Sequence, residues 1–460
     1  MPLISQRIIG PINESKWTAL QEYARAIEEI SITDVRHHPV AVAETTYFRL
    51  AQLQGATPLF PRLERLSILE TPSISQAIPY SVLPMFLSPA LTSLSITGAG
   101  SSHRTSAVAS FLGMLEPQST LAQISFDYFS LSPSILKAII GCGGLSRLAL
   151  TNVEGSIDQP SLHTLFSMPS LANITFKTKN LEYLASEPVE TLLPGSTRQL
   201  SELHLAGPFA LVSEWTKYFS GTCNLQGLHM EIIITTNDTA SKTASTGGKR
   251  KSTYANPSST EIDDFIKEAV PAWKRSLLTF EMILDRALDD PLPPTFLDTF
   301  SGFALLEKLT LLNTSLRDIN LAVQRNASHW PSLTYLHLPR SSVICTVSMK
   351  TLHHLTQHCR RLTFLRLLIQ SPENDPFSEI ASQGVQFPHV HTFSVGTSTS
   401  ESGLRETSVE RLCSIVRNLL RVFPCLETLE TNENFSEEVW GDIKKLIDLC
   451  RDSEKYRKVK

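Results

Sequence analysis

The stretch Leu63-Glu64-Arg65-Leu66-Ser67-Ile68 decides how this chain is read, because its Leu-x-x-Leu-x-Leu pattern keeps returning. Leu91-Thr92-Ser93-Leu94-Ser95-Ile96 repeats it almost unchanged. Looser copies stand at 121–126 (LAQISF), 145–150 (LSRLAL), 171–176 (LANITF), 200–205 (LSELHL) and 225–230 (LQGLHM). After a gap come 277–282 (LLTFEM), 306–311 (LEKLTL), 333–338 (LTYLHL), 362–367 (LTFLRL), 390–395 (VHTFSV) and 426–431 (LETLET). The six intervals from Leu63 to Leu225 span 162 residues, a mean of 27, and the four from Leu277 to Val390 span 113, a mean near 28.

A fixed period of this size is the mark of a solenoid, and Leu-rich units of about 20–29 residues read as leucine-rich repeats. Within each copy, side chains alternate between two faces, as in a half-buried strand. Leu66 and Ile68 point one way and Arg65, Ser67 and Leu69 the other. Between the strands, apolar positions recur at three- and four-residue spacing at 105–115, 134–140, 213–219, 347–357 and 408–422, which predicts helices. Prolines before a strand, as in Trp330-Pro331 and Phe423-Pro424, stop the helix and favour extended backbone. Strand, helix, parallel strand is a right-handed crossover unit. The expected fold is therefore an α/β leucine-rich-repeat solenoid, a horseshoe with a parallel sheet on the concave face and helices on the convex face. Such repeats usually carry an Asn at position nine, and here only Asn434 matches, so irregular turns are expected.

The expected organisation is an N-terminal cap with a degenerate first repeat (1–60), repeats (61–234), a disordered insert (235–262), repeats (263–431), and a C-terminal cap helix with a charged tail (432–460). Trp17, Leu20, Tyr23, Ala24 and Ile27 mark an amphipathic first helix, running into a fourteenth, degenerate strand at 27–32. In the stretch 436–450, Ser436 reads as an N-cap, with the tail 451–460 frayed. The insert is rich in Ser, Thr, Gly and Lys and cannot bury apolar surface.

Apolar residues make up 42% of the 460-residue chain and charged residues 19%, which fits a folded protein. A net charge of −4 offers no global basic field for nucleic acid. No apolar run is long enough to span a membrane, and residues 1–17 lack the apolar stretch of a signal peptide. The seven cysteines form no C-x-x-C pair and read as buried thiols of a reducing compartment. These features place the chain in the cytoplasm or the nucleus.

No motif carries catalysis. Gly248-Lys249 is followed by Arg250 in a low-complexity stretch, which rules out a phosphate-binding loop. His354 and His358 are four apart on one helix, as zinc ligands are, but Leu355 stands where H-E-x-x-H needs Glu, and no third ligand is near. No metal and no cofactor is expected. The informative residues are those at positions three, five and seven of each motif, which face away from the core. In the early strands they are small or polar, such as Ser93, Gln123, Ser125 and Asp127. Later they become larger and more varied, and the expected partner-binding face comprises His204, His229, Glu231, Lys308, Tyr335, His337, Phe364, Arg366 and Leu368. Tyr and Arg anchor many protein interfaces, and exposed apolar clusters seldom lack a role.

The opening Pro11-Ile12-Asn13-Glu14-Ser15-Lys16-Trp17, then Tyr23-Ala24-Arg25 and Ile27-Glu28-Glu29-Ile30-Ser31-Ile32, resembles the segment joining the F-box to the first repeat in fungal F-box-like proteins of the basidiomycete type. With the repeats, the resemblance covers nearly all of residues 11–431. It implies a substrate-recognition region of an SCF-type ubiquitin ligase receptor, which positions a protein substrate while another subunit supplies chemistry. In that family an F-box opens with a pattern like Leu-Pro-x-Glu-Leu-Leu and docks on a Skp1-type adaptor. No such pattern occurs in these residues, so that adaptor is a partner only if an F-box lies upstream. A repeat-only scaffold or inhibitor with no ubiquitin link is the alternative. Neither reading involves nucleic acid, a membrane or enzyme activity.

Overall fold

A computed structural model of the chain describes residues 4–6, 13–33, 40–42, 44–55, 57–69, 80–98, 102–115, 120–178, 180–184, 199–220, 224–234, 256–338, 347–368, 376–382, 384–396, 408–431 and 437–458. The chain divides into two compact units, Met1–Gly207 and Pro208–Lys460.

In the first unit, parallel strands β1 (Glu29–Thr33), β2 (Arg65–Leu69), β3 (Ser93–Thr97), β4 (Gln123–Asp127), β5 (Arg147–Thr151), β6 (Asn173–Lys177) and β7 (Glu202–Pro208) each pair with the next. The register is set by the repeat, since Leu66 meets Leu94, Ile124 meets Leu148 and Ile174 meets Leu203. Parallel neighbours cannot be joined by a tight turn. The crossovers accordingly carry helices, among them Ser102–Leu115, Pro133–Gly141 and Gln159–Phe166. A second parallel ladder, of Ser130–Leu131, Glu154–Asp158 and Asn180–Leu184, follows the turns after β4, β5 and β6.

The second unit repeats the scheme with β8 (Gly227–Ile233), β9 (Thr279–Leu284), β10 (Lys308–Leu312), β11 (Tyr335–His337), β12 (Phe364–Leu368), β13 (Thr392–Gly396) and β14 (Thr428–Thr431). Helices Ser259–Ala269, Ile319–Asn326, Met349–His358 and Val409–Val422 lie in its crossovers. In both units the first motif residue, from Leu63 to Leu426, is at most 2% exposed. Aromatic rings fill the space between strands and helices, as where Phe300 packs 4.6 Å from Phe280 and Phe423 packs 4.6 Å from Phe393. Trp330 is fully buried, and its indole N–H donates to the Phe300 carbonyl at 3.1 Å. This arrangement, one parallel strand and one crossover per repeat of about 27 residues, is the leucine-rich-repeat solenoid.

The turns are more regular than the missing Asn at position nine suggests. Position two carries a hydroxyl ladder instead. The hydroxyls of Thr92, Ser146, Ser201, Thr334 and Thr363 donate to the position-two carbonyls of Glu64, Ala122, Ala172, Glu307 and Thr334 in the preceding repeat, at 3.0–3.3 Å. The backbone N–H of the same residues donates to the same carbonyls. At position eight, Tyr128, Asn152 and Asn313 adopt φ of 50–54°, a left-handed conformation that ends the strand. Asn313 then reaches the Leu284 carbonyl at 2.8 Å and Asn152 reaches Asp127 at 2.9 Å, so each ties its repeat to the one before.

Several expectations change. The degenerate strand forms at Glu29–Thr33, but of the helix before it (Glu14–Arg25) only Ala24 is buried, while Leu20 and Tyr23 are 36% and 76% exposed. Helix Ser259–Ala269 begins inside the span expected for the insert, because Ser258 and Glu261 form a capping box and Ile262 is fully buried. The C-terminal helix runs from Glu437 to Lys458, so the stretch expected to fray is largely helical. Cys142 and Cys359 are buried, but Cys413, Cys425 and Cys450 are exposed thiols, which corrects the reading of all the cysteines as buried. Cys413 and Cys450 lie on outward helix faces and Cys425 in the turn before β14, where composition gives no signal of burial. Residues 235–255, Asn434, Ser436, Cys223 and Cys345 lie outside the described residues.

Candidate functional site

In each unit, the sheet face turned away from the core presents three rows of side chains, one per odd motif position, stacked rung by rung across the strands. Neighbouring rungs are about 4.8 Å apart, so side-chain size in each row sets the relief of the surface.

In the first unit the middle row reads Ser31, Ser67, Ser95, Ser125, Ala149, Thr175 and His204. Beside it runs Ser93, Gln123, Arg147 and Asn173. The small middle row leaves an open groove of about 280 Å³ lined by Ser93, Gln123, Ser125, Arg147, Ala149, Asn173 and Thr175. The sequence showed these positions to be small and polar but gave no groove, which exists only once three or four strands stand side by side. His204 closes the middle row on β7 and is the one expected site residue that belongs to this unit.

The other eight expected residues fall in the second unit, and their rungs bring most of them together. The first row is Gly227, Thr279, Lys308, Tyr335, Phe364, Thr392 and Thr428. The second is His229, Glu281, Thr310, His337, Arg366, Ser394 and Glu430. Glu231 and Leu368 stand in the third, on β8 and β12.

Tyr335 and Phe364, on adjacent strands, stack in parallel with centroids 4.0 Å apart and planes 5° apart. Lys308 caps the other side of Tyr335, its Nζ 5.2 Å from the ring centroid. The same ammonium donates to Glu281 Oε2 at 3.1 Å, and His229 Nδ1 stands 3.1 Å from that oxygen. Burial pushes the Glu281 carboxyl up, but hydrogen bonds and charge from Lys308, with a smaller contribution from His229, outweigh it and hold the group below the usual carboxylate range. Glu281, absent from the expected set, is the residue that joins His229 to Lys308. It stands at position five of the 277–282 copy, an outward-facing position, but only the pairing of strands shows that it lies between His229 and Lys308.

His337 does not present an open side chain. Although it points to the outer face, it is only 9% exposed. Burial, reinforced by the Arg366 guanidinium, lowers its imidazole to about 4, against a small opposing effect of Glu281. It is a neutral, packed histidine at pH 7, standing on its rung between Thr310 and the larger Arg366. Arg366, on the next rung, is half-buried and makes no hydrogen bond or ion pair with the described residues. Two face-side hydroxyls in the same row, Thr310 and Ser394, are 2% and 1% exposed and have no hydrogen-bond partner among the described residues.

The His354 and His358 rings lie 6.3 Å apart on one helix, and His353 Nε2 pairs with the Gln357 amide at 2.7 Å. Among the described residues no three His, Cys, Asp or Glu side chains are gathered in a metal-binding arrangement, and no helix is long and apolar enough to cross a membrane.

No protein-family model and no curated protein matches the chain. Solved structures similar to it include the leucine-rich repeat domain of APL1B, at 11% identity and a TM-score of 0.34 over 93% of this chain and 95% of that one. A TLR13–ssRNA13 complex is similar at 14% identity and a TM-score of 0.36, over 78% of this chain and 51% of that one. An LRIM1/APL1C complex is similar at 11% identity and a TM-score of 0.32, over 94% of this chain and 64% of that one.

Proposed function

We propose that the chain is a protein-binding solenoid whose second unit grips a protein partner through Lys308, Tyr335, Phe364 and Arg366. The observation that carries this is the stacked Tyr335–Phe364 pair beside an arginine that makes no ion pair among the described residues. Aromatic and arginine side chains of this kind dominate the energy of protein interfaces. A half-buried guanidinium without a carboxylate is stabilised when a partner supplies one. His204, His229, Glu231, His337 and Leu368 form the surround of this patch in the proposal rather than its anchors. Helices Glu14–Arg25 and Glu437–Lys458 are proposed as caps, a reading supported at the C-terminal end by Ile443 and Ile447, buried at 0% and 2% exposure.

The test is a double substitution, Tyr335→Ala with Arg366→Ala, assayed against a partner isolated with the unaltered chain. Affinity falls by roughly 30-fold or more, the loss of about 2 kcal/mol expected of a hot spot, while the unfolding midpoint moves little. Undiminished binding removes this patch as the site.

The finer reading, a substrate-recognition region of an F-box-like ubiquitin ligase receptor, is supported by the resemblance of residues 11–32 and the repeats to that family. Mapping the 5′ end of the native transcript tests it. Upstream coding sequence with an F-box pattern, whose product co-elutes with a Skp1-type adaptor, sustains the receptor reading. A transcript without it, or a product that ignores the adaptor, leaves the repeat-only scaffold.

A further inference from the structure

The groove of the first unit holds a cation that this part of the fold does not neutralise. Arg147 stands exposed on β5 and lines the groove. It makes no ion pair among the described residues. The other arginine of its row, Arg65, is paired with Glu29 on the adjacent rung at 2.8 Å. Arg147 has instead Gln123 on one side and Asn173 on the other. The nearest acid of the row is Glu202, beyond Asn173 and two strand spacings away, about 9.6 Å. Asp127 stands at the other end of its strand, where its carboxylate accepts from the Thr151 hydroxyl at 2.7 Å and the Asn152 amide at 2.9 Å.

Asn173 holds the guanidinium in place. In the orientation that satisfies both ends of its amide, the nitrogen donates to the Ser201 hydroxyl at 3.2 Å and the Ala172 carbonyl at 3.0 Å, and the oxygen accepts from Arg147 Nε at 3.3 Å. Ser201 belongs to the hydroxyl ladder, so the anchor reaches the backbone of the turn. Nε is thereby engaged, while Nη1 and Nη2, a pair that grips a carboxylate through two parallel hydrogen bonds, have no partner among the described residues. Around them Gln123, Ser125 and Thr175 make no side-chain hydrogen bond with the described residues, and the small Ala149 leaves the space open. No aromatic ring lines the groove, so nothing in it stacks a base. One guanidinium balances one negative charge, which suits a carboxylate better than a doubly charged phosphate. The middle row stays small through Ser95, Ser67 and Ser31, so a chain can run on through the groove rather than end in it.

We infer that the first-unit groove takes an extended, acidic segment of a protein partner, with the carboxylate of one internal glutamate or aspartate on Nη1 and Nη2 of Arg147 and its flanking backbone on Gln123, Ser125 and Thr175. This contact surface shares no residue with the second-unit patch, and it rests on the protein-binding reading for the source of the carboxylate.

Saturation-transfer NMR on the full chain tests the groove without the partner. The probe is the capped peptide Ac-Ala-Ser-Glu-Ser-Ala-NH2, compared with the same peptide carrying glutamine or phosphoserine in place of glutamate. Transfer to the glutamate peptide is expected, several-fold weaker to the glutamine peptide, and fading as ionic strength rises, because Arg147 is exposed. Arg147→Gln should erase the preference for glutamate over glutamine. Asn173→Asp sets a resident carboxylate beside the guanidinium and should block the glutamate peptide while the unfolding midpoint stays level or rises, which poor folding would not produce. Equal transfer to the glutamate and glutamine peptides, or transfer that survives both variants, overturns the inference. So does a preference for phosphoserine, which makes the groove a phosphopeptide site. Tyr335→Ala with Arg366→Ala should leave the peptide signal untouched, and a signal lost in that variant places the peptide elsewhere and refutes the groove. If the peptide binds the groove but the double variant keeps its partner, the patch proposal fails and the groove stands. If the peptide fails while the double variant loses its partner, only the groove is refuted.

Discussion

Lowering the pH from 7 to 4 is expected to destabilise the second unit partly through one residue, His337. The folded protein holds its imidazole near 4, because the ring is 9% exposed and faces Arg366, whereas the unfolded chain leaves it near 6.5. The unfolded state therefore binds more protons throughout this window. The stabilisation is fully present above pH 6.5 and is lost as pH falls towards the folded value. The 2.5-unit gap between those two values corresponds to a contribution lost of roughly 1.4 kcal/mol at pH 5.5 and about 3 kcal/mol at pH 4. Other groups titrate in the same range, so the decisive quantity is a difference between two proteins. Urea unfolding is followed by fluorescence at pH 7, 5.5 and 4 for the natural chain and for His337→Gln, with Trp273 and Trp330, both fully buried in this unit, as reporters. The variant starts less stable at pH 7 and loses about 3 kcal/mol less than the natural chain between pH 7 and 4. Parallel pH profiles for the two proteins refute the assignment of His337 as a packed, neutral residue.

Other outcomes follow from the same geometry. Leu336→Ala empties a fully buried position between β10 and β12 and lowers stability by about 2–5 kcal/mol, read from the urea midpoint; an unchanged midpoint contradicts the strand register. Glu281→Gln strands Lys308 and costs about 1–3 kcal/mol at pH 7. The Glu281 carboxylate lies below its ordinary value, so its contribution is present above pH 4.5 and fades below it, and the penalty of the variant should shrink at pH 3. Iodoacetamide applied to the folded protein, followed by peptide mapping, should label Cys413, Cys425 and Cys450. Cys142 and Cys359 should stay unmodified, the latter because burial pushes its thiol up to about 12. Rapid labelling of Cys359 in the native state speaks against the packing of its helix on the Ala327 carbonyl.

Strands, helices and their order were legible in the sequence because both are written in local periodicity. Each Leu-x-x-Leu-x-Leu copy alternates with a period of two, and a core that grows by stacking demands the same apolar residue at the same place in every repeat. Even the degenerate strand at Glu29–Thr33 was visible from Ile30 and Ile32. The same logic identified which residues face outward, and so named Lys308, Tyr335, Phe364 and Arg366. What it did not supply was their neighbours. A residue's rung partners lie about 27 positions or more away, and the interval varies from repeat to repeat, so Glu281, though at an outward position, was not singled out as the residue that joins His229 to Lys308.

The sequence by itself thus determined the repeat, the parallel ladder and the face that each side chain takes, since these depend on residues a few positions apart. The tertiary structure alone decided that Tyr335 stacks on Phe364, that outward-pointing His337 is closed in, and that the serines of the early strands open a groove. Those properties arise from the sizes of side chains on adjacent strands, and strand adjacency exists only after the chain has closed each crossover and laid one repeat against the next.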